Sequence, residues 1–192
     1  MKKTCQFLLV TISLMSGVRS QAQSEWALDT NHSNLRFSIS LMMMSDVDGT
    51  FKMKEATIKA SKDDFSDATV TMVADVKSVD TDVDARDQHL RTADFFDAEK
   101  FPTITFKSRS VKKVADKKYK VEGDLTMHGI TKPVALDAIA NSGIHPVTKK
   151  TVAGFKITGT IKRLDFGISP TTPSAMLSDE VAIVANAQFE KK

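Results

Sequence analysis

The sequence predicts an all-β chain built from antiparallel strands. Segment after segment alternates apolar and polar residues at a period of two, the pattern of half-buried strands. Short turn signals separate the segments: Asp48-Gly49, Lys62-Asp63-Asp64, Asp116-Lys117-Lys118, His128-Gly129 and Asn141-Ser142-Gly143. There is no strand–helix–strand rhythm, which speaks against a parallel sheet.

Trp26 to Asp29 opens the series. Leu35, Phe37, Ile39 and Leu41 then share one face, against Arg36, Ser38 and Ser40. Phe51 to Ala60 follows. Val70, Met72, Ala74 and Val76 oppose Thr71, Asp75 and Lys77. Residues 80–102 break the pattern and predict a short helical excursion. There Asp84 can cap a helix, Asp87 and Arg91 are spaced to pair on one face, and Leu90, Phe95, Phe96 and Phe101 supply an apolar side. Extended segments resume with Ile104 and Phe106, then Tyr119, Val121, Leu125 and Met127, then Val134, Leu136 and Ala138. Phe155, Ile157, Gly159 and Ile161 form the next row, and Val181, Ile183, Ala185, Ala187 and Phe189 the last.

About eight or nine strands fit either a two-sheet sandwich or a closed barrel. Inward rows containing Gly154, Gly159, Ala74 and Ala138 leave space between bulkier neighbours. In a barrel of about eight strands that space can hold one ligand, or the side chains can simply fill it.

The chain of 192 residues has 27 basic and 24 acidic side chains, a formal charge of +3. The excess sits at the start. Lys2 and Lys3 precede the apolar run Phe7–Met15, and Ser20-Gln21-Ala22 offers small residues before a cut. This plan predicts a secretory signal peptide over residues 1–22 and a domain over 23–192. The run is shorter than the roughly 20 apolar residues of a membrane-spanning helix. Loss of Lys2, Lys3 and Arg19 leaves 24 basic against 24 acidic residues and removes Cys5, the only cysteine. A neutral domain with one Trp and one Tyr gives no support to nucleic-acid binding.

No catalytic or metal-binding motif stands out, and no cofactor is expected. His32, His89, His128 and His145 lie on different predicted elements without metal-ligand spacing. His32 and His128 are expected to make turn or backbone hydrogen bonds. Ser33, Ser78, Ser108 and Ser178 lack a nucleophile elbow. Arg163 and Asp165 continue the row of Ile161. Either the strand leaves the barrel there, or the two form an inward pair.

Several separated motifs carry a resemblance. The run SVDTDVDARDQHLRTADFFDAEKFPTITFKSRSV, with WALDTNHSNLRFSIS, DVDGTFK, GDLTMHGITKPVAL, KRLDFGI and SDEVAIVA, resembles the YceI-like polyisoprenoid-binding family. The resemblance covers almost all of the chain after the leader. It implies an extended antiparallel eight-stranded lipocalin-like β-barrel, exported to the periplasm or secreted and often dimeric. It also implies a long polyisoprenoid or similar lipid in an apolar tunnel.

With strand parity, the resemblance points to Phe37, Ile39, Met72, Ile104, Phe106, Leu125, Phe155, Ile157 and Ile183 as lining. Arg86, His89, Arg91 and Arg163 become candidates for a polar lipid head. The acids and bases of the excursion are read first as caps and ion pairs holding it to the barrel. One departure stands out: where the family commonly has a His-Leu-Gly-like turn, this chain reads Leu41-Met42-Met43-Met44. These methionines either meet an irregular apolar ligand or fill a gap at the barrel end. Two other readings remain beside the non-catalytic lipid carrier. One is a structural or stress-response protein with a filled barrel. The other is an enzyme acting on a small apolar substrate.

Overall fold

The computed structural model describes residues 23–192; the predicted leader, with Cys5, lies outside the described residues. The chain forms eight strands: β1 (Ser24–Leu41), β2 (Ser45–Ala60), β3 (Thr69–Asp80), β4 (Thr103–Ala115), β5 (Lys118–Met127), β6 (Ile130–Ile144), β7 (Thr151–Lys162) and β8 (Leu177–Lys191). Each pairs antiparallel with the next, and β8 pairs back onto β1, closing the barrel. Closure removes both sheet edges and leaves each strand one interior face. A helix, α1 (Asp84–Leu90), lies between β3 and β4, and a single 3-10 turn (Arg163–Phe166) follows β7. Among the described residues no helix is long and apolar enough to cross a membrane.

Strands this long close only if they bend, and three of the register shifts that bend them are filled by serine hydroxyls. In β1 the pairing jumps between Asp29 and Asn34, so Trp26–Asp29 and Leu35–Leu41 are one strand rather than two. There Ser33 Oγ donates to Asp29 O (2.7 Å) and accepts from Gln188 N–H (3.0 Å). In β3, Ser78 Oγ donates to Asp75 O (2.6 Å) and accepts from Lys52 N–H (2.8 Å). In β4, Ser108 Oγ accepts from Val70 N–H (2.8 Å). Each hydroxyl satisfies a backbone group that the shifted ladder leaves unpaired. The β3 bend also changes parity, so that Val76 and Val79, three apart, are both buried.

Two turn signals lie inside strands. Asp48-Gly49 belongs to β2, and Asn141-Ser142-Gly143 to β6. Gly49 pairs with Phe37, and a Cβ there would lie 2.3 Å from the Phe37 ring. The glycine makes room for an aromatic side chain rather than a turn. Gly123 does the same for Phe106, where a Cβ would also meet Lys107 O at 2.5 Å. Gly154 is exposed and its Cβ direction is open, so it faces outward, contrary to the inward row expected of it.

The β1–β2 turn is Met42–Met44 itself. Met44 N–H donates to Leu41 O (3.1 Å), and Met42 and Met43 hold φ of 52° and 56°. Two successive positive φ values are the hairpin geometry that favours Asn-Gly, and for other residues each costs about 1–2 kcal/mol. Met43 and Met44 are 82% and 86% exposed, so they fill no gap at the barrel end.

At the other end, residues 61–68 fold across the barrel. Asp67 accepts from Ser61 and Lys62 N–H (both 3.1 Å), and Tyr119 Oη donates to Asp64 O (2.6 Å). Phe65, held at φ 57°, packs against Trp26 and Phe155 with ring centroids 5.2 and 5.1 Å apart. This aromatic cluster is the floor of the barrel.

The wall yields two predictions, with one loop substitution as their control. Ser78→Ala leaves the Lys52 N–H without its acceptor and is expected to lower stability by about 1–2 kcal/mol in urea unfolding. Ser174→Ala, at an exposed loop position, is expected to change it by less than about 0.5 kcal/mol. Gly123→Ala is expected to cost about 1–3 kcal/mol, because backbone as well as the Phe106 ring must move.

Candidate functional site

The interior rows of all eight strands surround a cavity of about 430 Å³. Its lining is almost wholly apolar, and it runs from the Phe65 floor to an opposite end bordered by α1 and by residues 168–177. Phe37, Ile39, Met72, Ile104, Phe106, Leu125, Phe155, Ile157 and Ile183 all line it. Sequence parity missed several further contributors. Phe65 comes from a loop, and Phe51 and Ala56 stand on either side of the β2 register shift. Ile168, Thr172 and Met176 come from the irregular segment before β8. Only the isolated Phe in an otherwise polar loop offered a signal for the first of these.

One lip of the mouth is α1. Asp84 is its first residue rather than its cap; Val83 holds that position without a side-chain cap. Asp87 and Arg91 do not pair with each other. Buried Asp87 accepts from Thr81 N–H (2.9 Å) and Thr81 Oγ1 (2.6 Å), whereas Arg91 donates to Lys77 O (2.9 Å) and Val79 O (2.8 Å). Arg86 donates through Nε to Thr81 Oγ1 and through one terminal nitrogen to Thr81 O, both at 2.7 Å. The excursion is therefore fastened to the end of β3 mainly by hydrogen bonds to Thr81 and to backbone carbonyls. Phe96 extends it inward, its ring edge-on to Phe51 at 5.3 Å.

Arg86, His89 and Arg163 line the cavity and Arg91 does not. Of the five N–H donors of Arg86, two are used within the described residues, leaving three that can meet a ligand. His89 is half to two-thirds exposed and stands edge-on to Phe95 at 5.0 Å.

The other lip depends on Arg163. The strand ends at Lys162, and the chain leaves the barrel through the 3-10 turn. Arg163 is 2% exposed, whereas Asp165 is exposed, so the inward ion pair does not form. The guanidinium instead donates to five backbone carbonyls: Ser178 (3.0 Å), Ile168 (3.0 Å), Ser169 (2.6 Å), Thr172 (2.7 Å) and Leu177 (3.0 Å). Five donors meet five acceptors, which is how a buried cation is held without a carboxylate. The result gathers residues 168–178 around a single side chain.

The polar residues that invited a chemical reading have structural partners. His128 Nδ1 lies 3.0 Å from Phe166 O, as a backbone bond was expected. His32 bonds instead to the Asp29 side chain, at 2.6 Å, and this hydrogen bond holds the Asp29 carboxyl below its ordinary range. Ser178 Oγ donates to Glu180 O (3.0 Å). Among the described residues no cluster of His, Cys, Asp or Glu is arranged to hold a metal ion.

The family model described as the YceI-like domain matches residues 26–189. This chain belongs to the YceI-like family. A UPF0312 protein of Staphylococcus aureus is 35% identical over 171 residues, covering 86% of this chain and 97% of that protein. The YceI protein of Campylobacter jejuni is 30% identical, with a TM-score of 0.69, over 78% of this chain and 87% of that one. Burkholderia cenocepacia BcnA shares the fold at 24% identity and a TM-score of 0.72, over 84% and 98% of the two chains. A polyisoprenoid binding domain from Saccharophagus degradans shares it at 16% identity and a TM-score of 0.63, over 87% and 98%. The YceI-like membership accords with the closed eight-stranded antiparallel barrel and its one short helix.

Arg163 gives this site its clearest stability test. Arg163→Met strands five carbonyls and is expected to destabilise the barrel by about 3–5 kcal/mol. Arg163→Lys, with three donors in place of five, is expected to recover only part of that. Hydrogen exchange should locate the loosening in residues 164–178.

Proposed function

We propose that this YceI-like protein is an exported, non-catalytic carrier that holds a long polyisoprenoid or similar apolar chain in its barrel. The observation that carries the reading is the continuous apolar cavity, fed by side chains of every strand. Its volume falls in the range of roughly 300–1,000 Å³ found for small-molecule sites. Each methylene-sized group moved from water into such a lining gains about 0.8 kcal/mol. A lipid chain therefore needs no chemistry to be retained. The polyisoprenoid binding domain that shares the fold supports the ligand class, and the leader-like start of the sequence supports export.

Arg86 and His89 are the best placed residues for a polar head, because both reach the cavity and Arg86 keeps donors to spare. A phosphate or pyrophosphate would suit that guanidinium. Arg163 and Arg91 contribute by building the mouth. The carrier reading is favoured over a filled barrel by the cavity itself. It is favoured over an enzyme by a lining that includes no carboxylate and has its one histidine at the mouth.

The test is mass spectrometry of the organic extract of protein purified without detergent. A stoichiometric long-chain lipid is expected. Ala185→Trp, which places a large ring in the cavity, is expected to reduce loading at least about tenfold while leaving the far-ultraviolet spectrum unchanged. No extracted lipid, and no uptake of added polyprenol, would remove the carrier reading.

A further inference from the structure

The Met42–Met44 turn is not explained by the barrel or by its cavity. The three side chains are not part of the cavity lining, and their turn holds two non-glycine residues at positive φ. Natural sequences relieve such a turn with Asn-Gly and avoid exposing consecutive large apolar side chains. Here both rules are broken at one place.

That place is the mouth. The turn joins the end of β1 to the start of β2, where Leu41 and Val47 line the cavity. Met42 N–H donates to Met176 O at 2.8 Å, extending the β1–β8 ladder and tying the turn to the neighbouring lip. Met176 is 54% exposed and also lines the cavity. The exposed methionines of the turn therefore adjoin Met176, which itself reaches the interior. Methionine is flexible and polarisable, which suits contact with a fluid apolar phase.

We propose that Met42, Met43, Met44 and Met176 form the surface by which the mouth docks on an electrically neutral lipid bilayer to load and unload its ligand. The inference rests on the carrier reading, since a water-insoluble chain needs an apolar route between membrane and cavity. Charge selects the kind of surface. Exposed Asp46, Asp48, Asp82, Asp84, Asp165 and Glu180 stand at the mouth end, against Arg86, His89, Arg91, Lys100 and Lys162. The floor end carries exposed Lys59, Lys62, Lys117, Lys118, Lys149 and Lys150, against exposed Asp63, Asp64, Asp67 and Asp116. An anionic membrane would draw the floor and repel the mouth; a zwitterionic one allows the methionines to enter.

The experiment follows uptake of a pyrene-labelled polyprenol by wild type and by the triple variant Met42→Asn, Met43→Gly, Met44→Ser. Asn-Gly suits the turn, so the variant is expected to fold at least as well. The probe is delivered from phosphatidylcholine vesicles or from a cyclodextrin complex. Cyclodextrin loading is expected to be equal, and vesicle loading about tenfold slower in the variant. About 30% phosphatidylglycerol is expected to slow wild-type vesicle loading at low ionic strength, and about 0.5 M salt to restore it. Wild-type rates in the variant would overturn the docking surface while leaving the carrier reading intact. So would faster loading from anionic vesicles, or a wild-type dimer that the triple variant dissociates without changing vesicle loading. Uptake from neither source by wild type would overturn the carrier reading and the docking surface together.

Discussion

Closing eight long antiparallel strands into one barrel is the constraint on which the rest of this structure depends. Straight strands of 10–18 residues would not coil around a common axis and keep their apolar rows inside. The register shifts in β1, β3 and β4 supply the bend, and each leaves backbone groups without ladder partners. Ser33, Ser78 and Ser108 supply the missing bonds from short side chains that fit within the wall. Polar residues that in another setting invite a catalytic reading are here part of the covalent chain's route around the cylinder.

The same logic builds the mouth. A strand bundle of this kind has two ends, and the two are finished differently. The floor is packed with aromatic rings, Trp26 and Phe65 meeting Phe155, and Phe155 meeting Phe189. The mouth is edged by two non-strand segments, each gathered by arginine donating to backbone carbonyls. A guanidinium can serve several carbonyls in a fixed geometry, so it orders irregular chain that has no ladder of its own. Packing closes one end, and directional hydrogen bonds hold the other in shape without filling it.

This division also explains what was legible in the sequence. Interior rows such as Ile104–Phe106 and Phe155–Ile157 declare themselves by period two, and the helical excursion by its loss. The resemblance to the YceI-like family supplied the choice of barrel over sandwich, which periodicity alone left open. Features set by tertiary contact were not legible. Gly49 and Gly123 look like turn or flexible residues until Phe37 and Phe106 are seen lying over them. Asp87 and Arg91 have ideal helical spacing, yet Asp87 binds Thr81, just beyond β3, and Arg91 binds carbonyls of β3 itself. Arg163 looked for an acid in sequence and found carbonyls in space.

Local rules are kept through most of the wall and broken most plainly around the cavity and its mouth. The interior stays incompletely filled, although close packing would stabilise the barrel. The β1–β2 turn keeps methionines where Asn-Gly would relieve the backbone. A protein selected for stability alone would remove both defects, and single substitutions suffice to begin. The space lies inside the barrel, the apolar turn lies outside it, and Met176 lies between, lining the one and hydrogen-bonded to the other. Two unrelated departures that meet at one residue are better explained by a common use than by separate accidents. The carrier reading we propose supplies such a use: the passage of an apolar molecule through the mouth.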